Sequence, residues 1–173
     1  MAKTEVEIFT DIIGIITPNI PSDWKVLRGF QPEKTAIDDK LITITKVAGR
    51  RYGFQRRNYK LNDQDNDSLI REEKYSQEMT FQLSGYNFDR HDVTPFDVLG
   101  NLITSLQTLD VIKQFIDLGY SLSRITDVRE LEFDNSGGDY QMEVQFDFTV
   151  ILEQVVTFIT PATRTLDLEL HAV

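Results

Sequence analysis

The sequence contains no cysteine and only two histidines in 173 residues. The first absence removes disulfides, thiolate metal sites and cysteine nucleophiles together, and it fits a reducing compartment. The second leaves His91 and His171 as the available imidazole bases. No G-x-S-x-G elbow accompanies them, and His171 lies three residues from the end of the sequence, so a hydrolase triad has no support. Neither G-x-G-x-x-G nor G-x-x-x-x-G-K-[ST] occurs, so the backbone cradle that holds nucleotide phosphates is also missing. No apolar run approaches the roughly 18 residues that span a bilayer. The opening "MAKTEVEIFTDIIGIITPNIP" has acids inside its apolar part and no small-residue cleavage site, which predicts a folded helix rather than a signal peptide. Positive charge is scarce as well. Eighteen Lys and Arg stand against 28 Asp and Glu, a net charge of −10. Such a field repels phosphates and confines any contact with DNA to a local patch.

The length suits one domain with a substantial core, residues 1–173. Thr4 to Thr17 is predicted to be an amphipathic helix, with Thr4 and Glu7 spaced for a capping box and Ile8, Phe9, Ile12, Ile13 and Ile16 at helical intervals. Pro18 stops it. "DWKVLRGFQP" has room for a short strand, and Leu41–Val47, rich in Ile, Thr and Val, makes a better one. In Glu73–Tyr86 the residues Tyr75, Met79, Phe81 and Leu83 alternate with polar neighbours, the pattern of a half-buried strand. About 25 residues separate these two strands, enough for an arm over roughly 46–72 rather than a turn. A helical region follows from Thr94, an N-cap ahead of Pro95 and Asp97, with a break at Gln107–Leu109 and an end at Gly119. Strands are predicted at Arg124–Phe133 and Tyr140–Glu153, joined by "DNSGGD", and a last one through Leu166, Leu168 and Leu170 after Pro161. In the second of these, Tyr140, Met142, Val144, Phe146, Phe148, Val150 and Leu152 share a face. Gln141, Glu143, Gln145, Asp147 and Thr149 share the other. The order predicts an α+β fold with a mostly antiparallel sheet packed against an N-terminal helix and a central helical region, plus a long β-arm.

Charge is unevenly placed. Six of the 18 basic residues fall in Lys46–Lys60, "KVAGRRYGFQRRNYK", with no acid among them. Tyr52, Phe54 and Tyr59 interleave with Arg50, Arg51, Arg56 and Arg57. This mixture serves single-stranded nucleic acid and equally protein interfaces; a solvated hairpin tip is the plain alternative. An acidic stretch with Asp63, Asp65 and Asp67 follows at once. The dipolar arm either folds on itself or reaches a neighbouring copy in a head-to-tail contact of the kind that closes rings.

Other clusters carry less. Asp89, His91 and Asp92 in "NFDRHD" are metal-ligand types, but consecutive residues rarely converge on one ion, and the stretch reads as a polar lead into the Thr94 cap. "DQDNDS" begins like a calcium loop, yet Ser68 stands where the turn needs Gly and Lys74 where a bidentate Glu is needed. Glu130 and Glu132 share a strand face and read as solvated. No catalytic, cofactor or metal residue emerges.

The order of motifs resembles the tail-terminator, or neck-terminator, proteins of tailed bacteriophages. The likeness is carried by the N-terminal helix, "RRYGFQRR", "YSQEMTFQLSGY", "FIDLGYSLSRITDVRELEF" and "DYQMEVQFDFTVILEQVV", and it spans Thr4 to about Leu170. It implies a non-enzymatic virion protein, assembled in the host cytoplasm, that forms a ring, usually of six subunits. The ring would cap the tail tube, end tail elongation and join the tail to a neck or connector protein. DNA would pass through the lumen without sequence readout, and no membrane or cofactor is involved. The subunit or ring interface expected from the arm comprises Arg50, Arg51, Tyr52, Phe54, Arg56, Arg57, Asp63, Asp65 and Asp67, and Glu143 and Asp147 are candidates for the lumen lining. Three other readings remain open at this stage. They are a stopper or adaptor ring at the head–tail joint, a nucleic-acid-binding module using residues 46–60, and a small enzyme around Asp89, His91 and Asp92.

Overall fold

The computed structural model describes residues 3–29, 40–87, 93–134 and 140–161. Thr4 caps the first helix, α1 (Glu5–Ile16), as its spacing to Glu7 predicts. The Glu7 N–H donates to the Thr4 hydroxyl (3.3 Å), and the Thr4 N–H donates back to the Glu7 carboxylate (2.6 Å). A side-chain cap of this kind stabilises a helix by about 1 kcal/mol. Ile8, Phe9, Ile12, Ile15 and Ile16 are buried, and a 3-10 turn at Thr17–Asn19, holding Pro18, closes the helix.

The sheet has six strands among the described residues: β1 (Lys25–Arg28), β2 (Lys40–Asn62), β3 (Asp65–Asn87), β4 (Tyr120–Ile125), β5 (Arg129–Asp134) and β6 (Tyr140–Pro161). Their order is β1-β2-β3-β6-β4, with β5 also on β6. β1 pairs with β2 in parallel and every other pair is antiparallel. The fold is α+β with a mostly antiparallel sheet, as the sequence predicts. The strand expected over Arg124–Phe133 is in fact two. β4 ends with Ile125 opposite Phe148 and β5 begins with Arg129 opposite Gln145, so three residues bridge a gap of two. Thr126 fixes the step: its N–H donates to the Asp147 carbonyl (2.8 Å), and its hydroxyl accepts from the Asp147 N–H (2.9 Å).

Between β3 and β4 lie α2 (Pro95–Leu106) and α3 (Leu109–Asp117), broken where predicted. The Thr94 hydroxyl accepts from the Asp97 N–H (3.2 Å) and caps α2. Gly119, with φ of 83°, follows the last turn of α3 and turns the chain into β4.

The helices cover one face of the sheet. Ile42 and Ile44 of β2, Met79, Phe81 and Leu83 of β3, and Val144, Phe146, Phe148, Val150 and Leu152 of β6 are buried in one cluster with α1, α2 and α3. This is the face that the period-two pattern assigns to the core; the side chains of Tyr140 and Met142 lie outside the described part. Phe148 stacks on Phe81 (centroids 5.6 Å apart) and meets Phe115 and Phe146 edge-on or tilted at 6.5 and 6.4 Å. At one end of the core the buried Tyr120 donates to Asp11 (2.7 Å), which also takes Lys3 (2.6 Å). Burial opposes the Asp11 charge, but the hydrogen bonds from Lys3 and Tyr120 outweigh it and hold the carboxyl below its usual range. Burial and the Asp11 contact push the Tyr120 phenol up. The strand expected through Leu166, Leu168 and Leu170, the turn at 135–139 and the Asp89, His91 and Asp92 cluster lie outside the described residues.

Candidate functional site

The segment read as an arm is itself strand. β2 and β3 run on past the last core residues as one hairpin whose tip is Asp63 and Gln64, and β6 runs beside β3 as far as Pro161. From Gly49, Met79 and Val150 outward the arm extends roughly 35 Å at about 3.3 Å per residue. The tip is tied by Asn62, which donates to the Ser68 hydroxyl (2.8 Å) and accepts from the Gln64 N–H (3.1 Å). Among the described residues no group of His, Asp and Glu is placed to hold a metal.

The positive strand and the acidic one lie in register, so the arm partly neutralises itself. Arg50 grips Glu78 through two nitrogens (3.0 and 3.2 Å), Arg57 meets Glu73 (3.2 Å) and Lys60 meets Glu72 (3.1 Å). Arg51 lies over the Tyr75 ring, 4.7 Å from its centroid. Each of these basic groups is largely exposed, and such pairs contribute at most about 1 kcal/mol. Arg56 is exposed and makes no ion pair among the described residues. Asp63 and Asp65 are exposed at the tip; Tyr52 and Asp67 belong to β2 and β3.

A wide bulge interrupts β2. Tyr52 pairs with Ser76 and Arg56 with Lys74, so β2 spends four steps where β3 spends two. Gly53 sits in the bulge with φ of 75°, a conformation costly for any other residue. Phe54 is thrown out beside it, 98% exposed. The glycine inside a strand-like pattern is the sequence signal for this bulge.

Beyond the helices the core face continues along the arm with Val156, Phe158 and Thr160 of β6, Leu69 and Arg71 of β3, and Tyr59 and Leu61 of β2. Tyr59, Leu61 and Phe158 are exposed there. Arg71 lies over the Phe158 ring (4.7 Å) and reaches Glu73 (3.4 Å). Residues 154–161 of β6 went unread as strand in the sequence, although "QVVTFIT" is rich in β-branched and aromatic residues.

The opposite face of the sheet is polar. Glu143 and Asp147 both lie on it, as their alternation requires. Tyr86 donates to Glu143 (2.8 Å), and burial together with that carboxylate pushes the phenol up to about 12. Asp147 is paired with Arg129 (2.7 Å) and accepts from Gln82 (3.2 Å). Asp147 and Arg129 border a concavity of about 570 Å³ that also takes in Arg50, Glu78, Arg124 and Thr149. The charge of this face is therefore mixed rather than uniformly acidic. No described helix is long and apolar enough to cross a membrane.

A comparison with curated proteins gave no match. Among solved structures, the fold is similar to a PVC sheath/tube terminator of an extracellular contractile injection system in its extended state. The TM-score is 0.54 at 9% identity, over 100% of this chain and 64% of that one. This chain thus spans just under two thirds of that protein's length, and at this identity the likeness concerns the fold alone. The sequence family described as E217 gateway protein gp29 matches residues 7–162. The chain belongs to the E217 gateway protein gp29 family.

Proposed function

We propose that the chain is a structural virion protein that forms a ring, of six subunits as in the proteins it resembles, on the head-proximal end of the tail. The ring ends tail elongation by covering the growing edge of the tube. Its other face meets a neck or connector protein, and DNA passes through the lumen without being read. The observation that carries this reading is the arm: a three-stranded projection with exposed aromatic and basic groups, on a chain of this family. Arg50, Arg51, Phe54, Arg56 and Arg57, with the acidic tip at Asp63, Asp65 and Asp67, supply contacts to a neighbouring subunit or to the adjoining ring. A nucleic-acid grip is the weaker use of the same arm, because Arg50, Arg57 and Lys60 each already meet a carboxylate. Gold labelling of a tagged chain in intact particles tests the placement. Label is expected at the junction of head and tail, and label at the distal tip or on the capsid shell would contradict it.

A further inference from the structure

Among the described residues the arm carries two strand edges that no other strand covers, and they fit each other. β4 covers the outer edge of β6 only as far as Leu152, and no described strand pairs with that edge from Glu153 to Thr160. On the far side β1 covers β2 only from Leu41 to Ile44. Open edges are usually blunted by lysine, proline or inward-pointing charge. The β6 edge, "EQVVTFIT", has no lysine and no proline before Pro161, and Ile159 on it is 72% exposed. Such an edge is a template for another strand.

The backbone phase of both edges follows from observed contacts. The N–H and C=O of Asp147 point outward, to Thr126. Pairing of β6 with β3 is unbroken from Val144 to Pro161, so the same alternation aims Val155, Thr157 and Ile159 outward. Tyr75, Glu73, Arg71 and Leu69 then bond to β6, which leaves Lys74, Glu72 and Ile70 to bond to β2. The outward-pointing residues of β2 in the arm are therefore Arg57, Tyr59 and Leu61. The outward Ile44 carbonyl, bonded to the Gly29 N–H (2.8 Å), agrees with this phase nearer the body.

From this we infer that a second copy of the chain lays the β2 edge of its arm, Arg57–Leu61, along the β6 edge, Val155–Thr160, as an added parallel strand. The inference rests on the ring reading above and specifies its contact. β2 and β6 are both antiparallel to β3, so a head-to-tail repeat brings them together in parallel. Tyr59 and Phe158 stand at the same level of the arm, both opposite Arg71. With no slip between copies, the Tyr59 N–H meets the Thr157 carbonyl and the Tyr59 carbonyl meets the Ile159 N–H, the slanted pattern of a parallel ladder. The same register sets Tyr59 beside Phe158, Leu61 beside Thr160 and Arg57 beside Val156 on the core-side face. On the other face Asn58 and Lys60 lie beside Thr157 and Ile159. The strand joined on each side is about five to six residues, an ordinary length.

The absence of cysteine allows a direct test. Within one chain Asn58 and Thr157 lie on either side of Glu72, about 10 Å apart across two strand spacings and too far for a disulfide. Between copies in the inferred register they are neighbours. Oxidised particles carrying N58C and T157C together should give a ladder of covalent oligomers on a non-reducing gel, and either single variant should give none beyond dimer. Thr157→Pro should fold, since its N–H faces away from β3, and should be lost from particles. Incorporation of the double-cysteine chain with only monomer on the gel would overturn the inference, as would wild-type incorporation of the proline variant. Should the proline variant fail to fold, the cysteine ladder decides alone. If the ladder is absent while tail length still depends on the chain, the edge contact fails and the capping role stands. If tail length does not depend on the chain, the capping role fails whatever the gel shows.

Discussion

Phe148→Ala is expected to destabilise the chain by about 3–5 kcal/mol, a large share of the roughly 5–15 kcal/mol that holds a domain folded. Phe148 is fully buried at the centre of the sheet. It joins Phe81 of β3, Phe115 of α3 and Phe146 of its own strand, so its ring is the point where the helical layer meets the sheet. Truncation leaves a cavity that three other rings cannot fill without leaving their own contacts. In a chain of this size the thermal midpoint should fall by roughly 10 °C or more. Circular dichroism melts of the purified variant check this, with Phe54→Ala as the companion. Phe54 is exposed at the arm bulge, so its loss should leave the melt nearly unchanged. A Phe148→Ala midpoint within a degree or two of wild type would show that the core is not organised around this ring.

The second large effect concerns assembly rather than folding. Arg56→Glu combined with Arg57→Glu should leave the monomer's melt within a few degrees of wild type, because the Arg57–Glu73 pair is largely exposed on the arginine side and such pairs contribute about 0–1 kcal/mol. The same change places two carboxylates, one on each face of the arm, at the β2 edge proposed to meet a neighbour. Like charges set against each other across a contact cost several kcal/mol, so the variant should be nearly absent from purified particles while remaining soluble in the lysate. Quantitative immunoblots of particles and lysate measure the partition. Incorporation at the wild-type level, with unchanged infectivity, would remove the arm arginines from any assembly role.

These two effects separate what the sequence made legible from what it hid. The core was legible because burial on one face only leaves a period. Val144, Phe146, Phe148 and Val150 alternate with Gln145, Asp147 and Thr149, and all four are buried together with Leu152. The caps at Thr4 and Thr94 were legible because each depends on a residue three positions away. The arm was legible as a charged β-arm, but the register and the bulge of its strands were not. Outside the core neither face is hidden from water, so β2 beyond Gly49 has no reason to alternate. The end of β6 was missed for the same reason, since Val155 and Val156 put apolar side chains on both faces at once. The division between β4 and β5 depends on two hydrogen bonds between Thr126 and Asp147. Nothing local to Arg124–Phe133 records that contact. At the site, residue type was readable and pairing was not: the register alone decides that Arg50 meets Glu78 and Arg57 meets Glu73, while Arg56 is left exposed beside the bulge.

The capping role is tested most directly by the lengths of tails made without this chain. Electron micrographs of particles from an infection in which it is not produced should show tails spread over many lengths and detached from heads, and supplying the chain in trans should restore a single length. Tails of one length, joined to filled heads in its absence, would contradict the account.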